Sequence, residues 1–87
     1  MKISFIYHPH SEYARPVEEY AYNFKQQRGH DIELISLETR DGASTASLYD
    51  IVRYPAILVR KDNGELVMEW EGPELPLMDE VAAYIAA

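Results

Sequence analysis

The hydrophobic positions of the chain change their spacing along its length, and each spacing predicts one element. The apolar segment at residues 3–7 is rich in strand-forming residues and predicts a first strand covered on both faces. A helical spacing follows, with Pro16 early in the helix, where a missing amide donor does least harm, and Gly29 at its end. The apolar positions of this helix are Tyr13, Val17, Tyr20 and Phe24.

The middle of the chain predicts a second strand and a short helix. Residues 32–37 are predicted to form the strand, with Leu34 and Ile35 buried. A turn and helix start follow at Asp41, Gly42 and Ser44. The apolar positions of the short helix are Leu48, Tyr49, Ile51 and Val52.

The last third of the chain predicts a hairpin and a closing helix. A short apolar strand at residues 56–59 precedes Asn63 and Gly64, which favour a tight primed turn with positive φ angles. Alternation then predicts a fourth strand, with its apolar positions at Leu66, Met68 and Trp70. The final helix is predicted to begin near Pro76 and to bury Leu77, Val81, Tyr84 and Ile85.

The resulting order, β-α-β-α-β-β-α, predicts an α/β fold with a four-stranded mixed sheet and helices on both faces. Strand–helix–strand units favour parallel pairing with right-handed crossovers, and the hairpin adds an antiparallel edge. A chain of 87 residues has room for one hydrophobic core, so residues 1–87 are expected to form a single domain.

The charge of the chain narrows the classes of partner. The formal net charge is −7, and the eight lysines and arginines are scattered, whereas a phosphate backbone requires clustered basic residues. We therefore expect neither nucleic acid nor an anionic membrane surface as a partner. No segment resembles a signal peptide or a membrane span, and the absence of cysteine fits a reducing compartment. We expect a cytoplasmic protein without a cofactor, and the oligomeric state stays open.

Residues 49–59 resemble the stretch of the thioredoxin superfamily that leads from a helix through a cis-proline into the next strand. The segment is Tyr49-Asp50-Ile51-Val52-Arg53-Tyr54-Pro55-Ala56-Ile57-Leu58-Val59. Pro55 matches the family's cis-proline, which in that family faces the active-site loop. Asn63-Gly64-Glu65, Trp70 and Gly72 are similar to the family's β-hairpin and its closing glycine. The resemblance covers nearly the whole chain and implies a thioredoxin-like fold.

The loop between the first strand and the first helix departs from this family, which carries Cys-x-x-Cys there. In a glutaredoxin-like register, Tyr7 and Pro9 match the lead-in and Ser11-Glu12-Tyr13-Ala14 occupies the motif. In a thioredoxin-like register, His8-Pro9-His10-Ser11 occupies it and Pro16 matches the family's helix proline. The length of the lead-in strand favours the first register. Ser11 falls on a cysteine position in both, and neither contains sulfur.

The missing sulfur removes the family's chemistry. Thiol–disulfide exchange needs a thiolate nucleophile and a second thiol that resolves the mixed disulfide. We therefore expect no oxidoreductase activity and no catalytic residue. Ser11 with His8 or His10 has the residue types of a hydrolase, but no third orienting group is evident. Ser11 is explained more simply as the cap of the first helix.

The candidate binding surface is the groove between the 7–13 loop and Tyr54-Pro55. The resemblance implies that backbone groups beside the cis-proline pair with an extended peptide or with glutathione. Free amides at the start of the first helix would favour a carboxylate, and the tyrosines would add contact area. We expect a redox-inactive module with a protein or peptide partner. The site residues of this prediction are Tyr7, His8, His10, Ser11, Tyr13, Tyr54 and Pro55.

Three alternatives to peptide binding stay open. A glutathione-like ligand is disfavoured because glutathione-binding relatives place a Gly-Gly-x-Asp-like turn where this chain has Gly72-Pro73-Glu74. A metal at His8 and His10 would have only Glu12 nearby, whereas zinc requires three or four ligands. The third alternative is a self-associating structural domain whose function lies elsewhere on its surface.

Overall fold

The computed structural model describes residues 1–85, and their elements follow the predicted order. The strands are β1 (Lys2–Tyr7), β2 (Ile32–Ser36), β3 (Ala56–Arg60) and β4 (Leu66–Glu71). The helices are α1 (Ala14–Arg28), α2 (Arg40–Leu48) and α3 (Met78–Ala82). The strands form one sheet in the order β2-β1-β3-β4. The α/β class and the four-stranded mixed sheet are confirmed.

The direction of β3 sets the position of the candidate groove. β1 and β2 pair in parallel across α1, as expected, but β3 pairs antiparallel with β1. The expectation that α2 would also connect parallel strands is therefore wrong. The chain re-enters the sheet at the edge where β1 ends, because Ile6 pairs with Ala56. This pairing places Tyr7, the last residue of β1, beside Pro55, the residue before β3.

β1 is the central element of the core, because five of its six residues are buried. Its side chains alternate between two hydrophobic clusters on opposite faces of the sheet. The cluster beneath α1 and α3 includes Phe5, Val17, Phe24, Val59 and Val81. The cluster beneath α2 includes Ile6, Ala46, Ile51, Ala56 and Leu58. Helices thus cover both faces of the sheet, as the sequence predicts.

Two residues predicted to be buried are exposed. Leu34 is 42% exposed because β2 is the outer strand of the sheet, where the covering helix no longer shields a side chain. Leu77 is 71% exposed because α3 begins only at Met78, and Leu77 lies before it in an extended conformation at the N-terminal cap position. Tyr84 and Ile85 are partly buried against the core cluster.

The ends of the helices follow local backbone chemistry. The Gly29 amide donates to the Lys25 carbonyl at 2.9 Å and has φ of 68°, which confirms the predicted end of α1. α2 begins one residue before the predicted start, and the Thr39 hydroxyl accepts from the Gly42 amide at 3.0 Å. α2 also ends earlier than predicted, at Leu48, so Ile51 lies in the segment that leads to β3.

The β3–β4 turn differs from the primed turn that Asn63 and Gly64 predict. Gly64 has φ of 91°, whereas Asn63 does not have a positive φ. The Gly64 amide donates to the Lys61 carbonyl at 2.9 Å, and the Lys61 amide donates to the Glu65 carbonyl at 2.8 Å. The turn therefore uses one residue with positive φ instead of two. The Tyr49 hydroxyl donates to the Gly64 carbonyl at 2.5 Å and ties the turn to the end of α2.

No helix within residues 1–85 combines the length and the apolar character that a membrane span requires.

Replacement of Gly42 by alanine is expected to destabilise the fold. The added Cβ would lie 1.9 Å from the Ser36 carbonyl oxygen, so the backbone of α2 or β2 must move. Overpacking of this kind costs about 2–3 kcal/mol. Urea unfolding of Gly42→Ala measures this loss. Ser44→Ala, an exposed change in the same helix, serves as the control and should unfold within about 0.5 kcal/mol of wild type. Equal stability of Gly42→Ala and wild type would contradict the close approach of the backbones.

Candidate functional site

A cavity of about 260 Å³ lies where β1 ends and β3 begins. We call it the Pro55 groove. Its lining residues are Tyr7, His8, Ser11, Tyr13, Tyr54 and Pro55. The structure thus brings together six of the seven residues proposed from the sequence. His10 lies outside the lining, and its Nε2 is 3.5 Å from a carboxylate oxygen of Glu38 on the surface.

Ser11 organises the loop that forms one side of the groove. Its hydroxyl donates to the His8 carbonyl at 2.7 Å and accepts from the Tyr13 amide at 3.3 Å. Its backbone amide also donates to the His8 carbonyl, and its carbonyl accepts from the Ala14 amide, each at 3.2 Å. Tyr13, not Ser11, occupies the cap position of α1 and makes no side-chain capping bond, so the predicted cap is wrong. Because its hydroxyl proton is given to a carbonyl, Ser11 is not paired with a histidine base.

The start of α1 has less capacity for an anion than its sequence suggests. The Ala14 amide donates to Ser11, the Val17 amide donates to the Tyr13 carbonyl at 3.1 Å, and Pro16 has no amide proton. In the first turn, the Arg15 amide alone lacks an acceptor within residues 1–85. The expectation that this helix end favours a carboxylate loses most of its physical basis.

Tyr7 is a buried side chain of the lining, with 7% of its surface exposed. Its hydroxyl donates to the Glu18 carboxylate at 3.1 Å. Burial raises the pKa of Tyr7 above 10.0, and the hydrogen bond and negative charge of Glu18 raise this pKa further. The hydroxyl of Tyr7 therefore stays protonated, with its proton directed at Glu18. Sequence reasoning missed Glu18, which lies on the second turn of α1 and is not part of the groove lining.

Tyr54 and Pro55 form the opposite side of the groove, and the peptide bond between them is cis. The Tyr54 hydroxyl donates to the Ile51 carbonyl at 2.9 Å, and its ring meets the His8 ring edge-on with centroids 5.6 Å apart. The Pro55 carbonyl accepts from the Gly72 amide at 3.0 Å. Within residues 1–85, the backbone N–H and C=O of Tyr54 make no hydrogen bond. These two groups are free to pair with another chain.

Glu71 holds the segment that precedes Tyr54. A single carboxylate oxygen of Glu71 accepts from the amides of Val52 and Arg53, both at 3.1 Å. The hydrogen bond from Val52 lowers the pKa of Glu71 below 4.5, and burial partly opposes this shift. The hairpin register places Glu71 opposite Ala56, whereas its contact with the two amides depends on tertiary geometry.

Glu69 lies on the same face of β4 as Glu71 and is disfavoured as an anion. Burial raises its pKa above 4.5, and the hydrogen bond and charge of Glu71 and the charge of Asp50 raise it further. One of its carboxylate oxygens is buried without a hydrogen-bond partner in the described part of the chain. The pKa values of these two carboxyl groups thus shift in opposite directions, and it is Glu71 that holds the segment before Tyr54.

The residues of the groove do not form a metal centre. Among residues 1–85, no three histidine, aspartate or glutamate side chains are arranged to hold a metal ion. His10 pairs with Glu38, whereas the His8 ring packs against Tyr54. The two histidines therefore take separate partners.

We expect Glu69→Gln to stabilise the protein at neutral pH and to lose this advantage in acid. The raised pKa of Glu69 means that folding opposes its ionised form, so its cost appears as the pH rises through that pKa. Glutamine removes the charge and keeps a donor for Glu71. The free energy of unfolding should rise by up to about 1 kcal/mol at neutral pH. It should converge with wild type as the pH falls to 4.5 and below, where Glu69 is protonated.

Glu74→Gln is the matched control, because Glu74 is exposed and the change removes the same charge. A constant difference between Glu69→Gln and wild type at every pH would contradict the assignment.

Comparison with known proteins identifies the fold. No protein-family model and no characterised sequence matches the chain. Among solved structures, thioredoxin 1 from the thermophilic eubacterium Thermosipho africanus TCF52B is similar, with a TM-score of 0.68 and 15% identity. That match covers 98% of this chain and 90% of the other. Oxidized mitochondrial thioredoxin 3 from Saccharomyces cerevisiae is also similar, with a TM-score of 0.65 and 13% identity, over 95% of this chain and 74% of that one. The chain therefore has a thioredoxin-like fold, built from a sequence that contains no cysteine.

Proposed function

We propose that this chain is a redox-inactive binding module of the cytoplasm that takes an extended segment of a protein partner into the Pro55 groove. The observation that carries the proposal is the free backbone of Tyr54. Its N–H and C=O lie beside the groove without an acceptor or donor among residues 1–85. An extended peptide offers a matching N–H and C=O, and such pairing gives affinity without any special side chain.

The shape of the groove supports a peptide ligand. Its volume of about 260 Å³ is below the range of drug-sized ligand pockets, which begin at about 300 Å³, and suits one side chain of a bound segment. The tyrosines at its rim give a large contact area at a low cost in side-chain entropy. The backbone of Tyr54 would align the segment, and the cavity would select one of its side chains.

The absence of cysteine supports binding without electron transfer. Disulfide exchange requires a thiolate on the protein, and no residue of this chain supplies one. Ser11 belongs to the groove lining, and its hydroxyl donates to the His8 carbonyl. We therefore assign the loop a structural role. The backbone of Tyr54 and the aromatic rings are the groups that would contact the peptide.

Loss of the Tyr13 side chain is expected to weaken peptide binding and to leave the fold intact. Peptides selected from a displayed library on the wild-type protein should bind Tyr13→Ala about tenfold more weakly, because an exposed aromatic wall of the groove is lost. Tyr13 makes no side-chain capping bond, so stability in urea should change by less than about 0.5 kcal/mol. Affinities are measured by isothermal titration calorimetry.

Tyr22→Ala is the matched control for Tyr13→Ala. Tyr22 is 65% exposed on α1 and lies outside the groove, so its loss should leave peptide affinity unchanged. A library that yields no peptide, or peptides that bind wild type and Tyr13→Ala equally, would refute the proposed function.

A further inference from the structure

The Pro55 groove is lined by electron-rich rings and contains no fixed cation. Three of its six lining residues are tyrosines, and a fourth is His8. Within the described chain, no lysine or arginine belongs to the lining. The negative faces of aromatic rings attract a cation, and tyrosine is an effective partner in this interaction. The side chains alone therefore favour a positively charged occupant.

The hydroxyl groups of the lining are oriented in a way that strengthens this preference. Tyr7 donates its proton to Glu18, and Tyr54 donates its proton to the Ile51 carbonyl. A hydroxyl group has one proton and two lone pairs, so each of these oxygens keeps only acceptor capacity for a ligand. Neither hydroxyl therefore has a proton left to donate to an anionic group. An ammonium group only donates and does not need these protons.

A carboxylate is hydrogen-bonded to one of the tyrosines of the lining. Glu18 is 3.1 Å from the Tyr7 hydroxyl, and no basic residue forms an ion pair with it within residues 1–85. The neighbouring Glu19, in contrast, is paired with Arg15 at 3.1 Å. Glu18 therefore carries a negative charge that no ion pair within residues 1–85 neutralises, and it lies next to the Tyr7 hydroxyl.

A negatively charged ligand would find few hydrogen-bond donors in the Pro55 groove. The amides of Ala14 and Val17 are already bonded within the loop and helix, and Pro16 has none. The protein as a whole carries a net charge of −7, which repels an anionic segment at long range. A positively charged ligand is therefore favoured by four features: the ring faces, the hydroxyl protons already donated within the protein, the Glu18 carboxylate and the net charge.

We propose that the Pro55 groove selects a basic side chain, such as lysine, from the extended peptide that it binds. The ammonium group contacts the rings of Tyr7, Tyr13 and Tyr54, and Glu18 compensates its charge through Tyr7. This inference rests on the proposed function, because the peptide backbone pairs with Tyr54 while the basic side chain enters the cavity. The groove would then select a positively charged residue in addition to an extended backbone.

The test uses acetylated and amidated alanine pentapeptides that differ only at the central residue. The three probes carry lysine, norleucine or glutamate, and each is titrated into the ¹⁵N-labelled full chain while amide shifts are followed. The lysine peptide should shift the amides of Tyr13 and Tyr54 and bind roughly threefold to thirtyfold more tightly than the norleucine peptide. The glutamate peptide should bind more weakly than either.

Two matched variants assign the preference to one carboxylate. Glu18→Gln keeps an acceptor for the Tyr7 hydroxyl but removes the charge, and it should lower the preference for lysine over norleucine by about threefold or more. Glu19→Gln changes the net charge equally on the same helix and should leave the preference unchanged. Equal effects of the two variants would show that only the overall charge matters, which overturns the role of Glu18.

The remaining outcomes separate this inference from the proposed function. If lysine and norleucine peptides bind equally and both shift Tyr13 and Tyr54, the groove binds peptides and its selection of a basic side chain is refuted. If none of the three peptides shifts these amides, both proposals fail at this groove. If n-butylammonium alone binds as tightly as the lysine peptide, the ligand is a small amine and the peptide source is refuted.

Discussion

The antiparallel pairing of β3 with β1 is the constraint on which the rest of the structure depends. Ile6 lies opposite Ala56, so the end of one strand and the start of the other meet at the same edge of the sheet. Both faces of β1 are buried, and a slip of one residue would move every side chain of the strand to the opposite face. The register is therefore fixed by the core, and the positions of Tyr7 and Pro55 follow from it without any contact made for the groove itself.

The segment between α2 and β3 depends on the strand β4 for its position. Glu71 accepts from the amides of Val52 and Arg53, and the Gly72 amide donates to the Pro55 carbonyl. These bonds connect the segment to the outer strand of the sheet. At this point the Glu71 carboxylate, and not a backbone carbonyl, accepts from the two amides. The Pro55 groove and its support thus come from three parts of the chain that are distant in sequence: the loop after β1, the segment before β3 and the end of β4.

Much of the fold can be predicted from local sequence patterns, because each of these patterns is compatible with only one kind of secondary structure. The helical spacing that ends at Gly29 and the apolar segment of β1 each match a single element. The direction of β3 was not predictable in this way, since it depends on where the chain re-enters the sheet. The exposure of Leu34 likewise depends on the place of β2 at the edge, which no local pattern reports.

The candidate site likewise contains residues that the sequence predicts and residues whose roles depend on tertiary structure. The resemblance around Pro55 indicated six residues that the structure places around one cavity, whereas His10 was included only because of its nearness in sequence. Glu18 and Glu71 escaped notice because carboxylates on a helix and a strand ordinarily face solvent. Their roles depend on tertiary geometry: a buried hydroxyl that needs an acceptor in one case, and two loop amides without partners in the other.

The bond between Tyr49 and the turn at Gly64 has a consequence for how the molecule would respond to a ligand. Tyr49 directly follows α2, and its hydroxyl holds the β3–β4 turn, while Glu71 at the far end of the same hairpin holds the segment before Tyr54. The hairpin is therefore attached at both of its ends to the chain that forms the groove. A ligand that binds only while these bonds hold the backbone of Tyr54 would therefore shift the opening equilibrium of the hairpin towards the closed state. Amide hydrogen exchange in β4, remote from any bound peptide, would then report the occupancy of the groove.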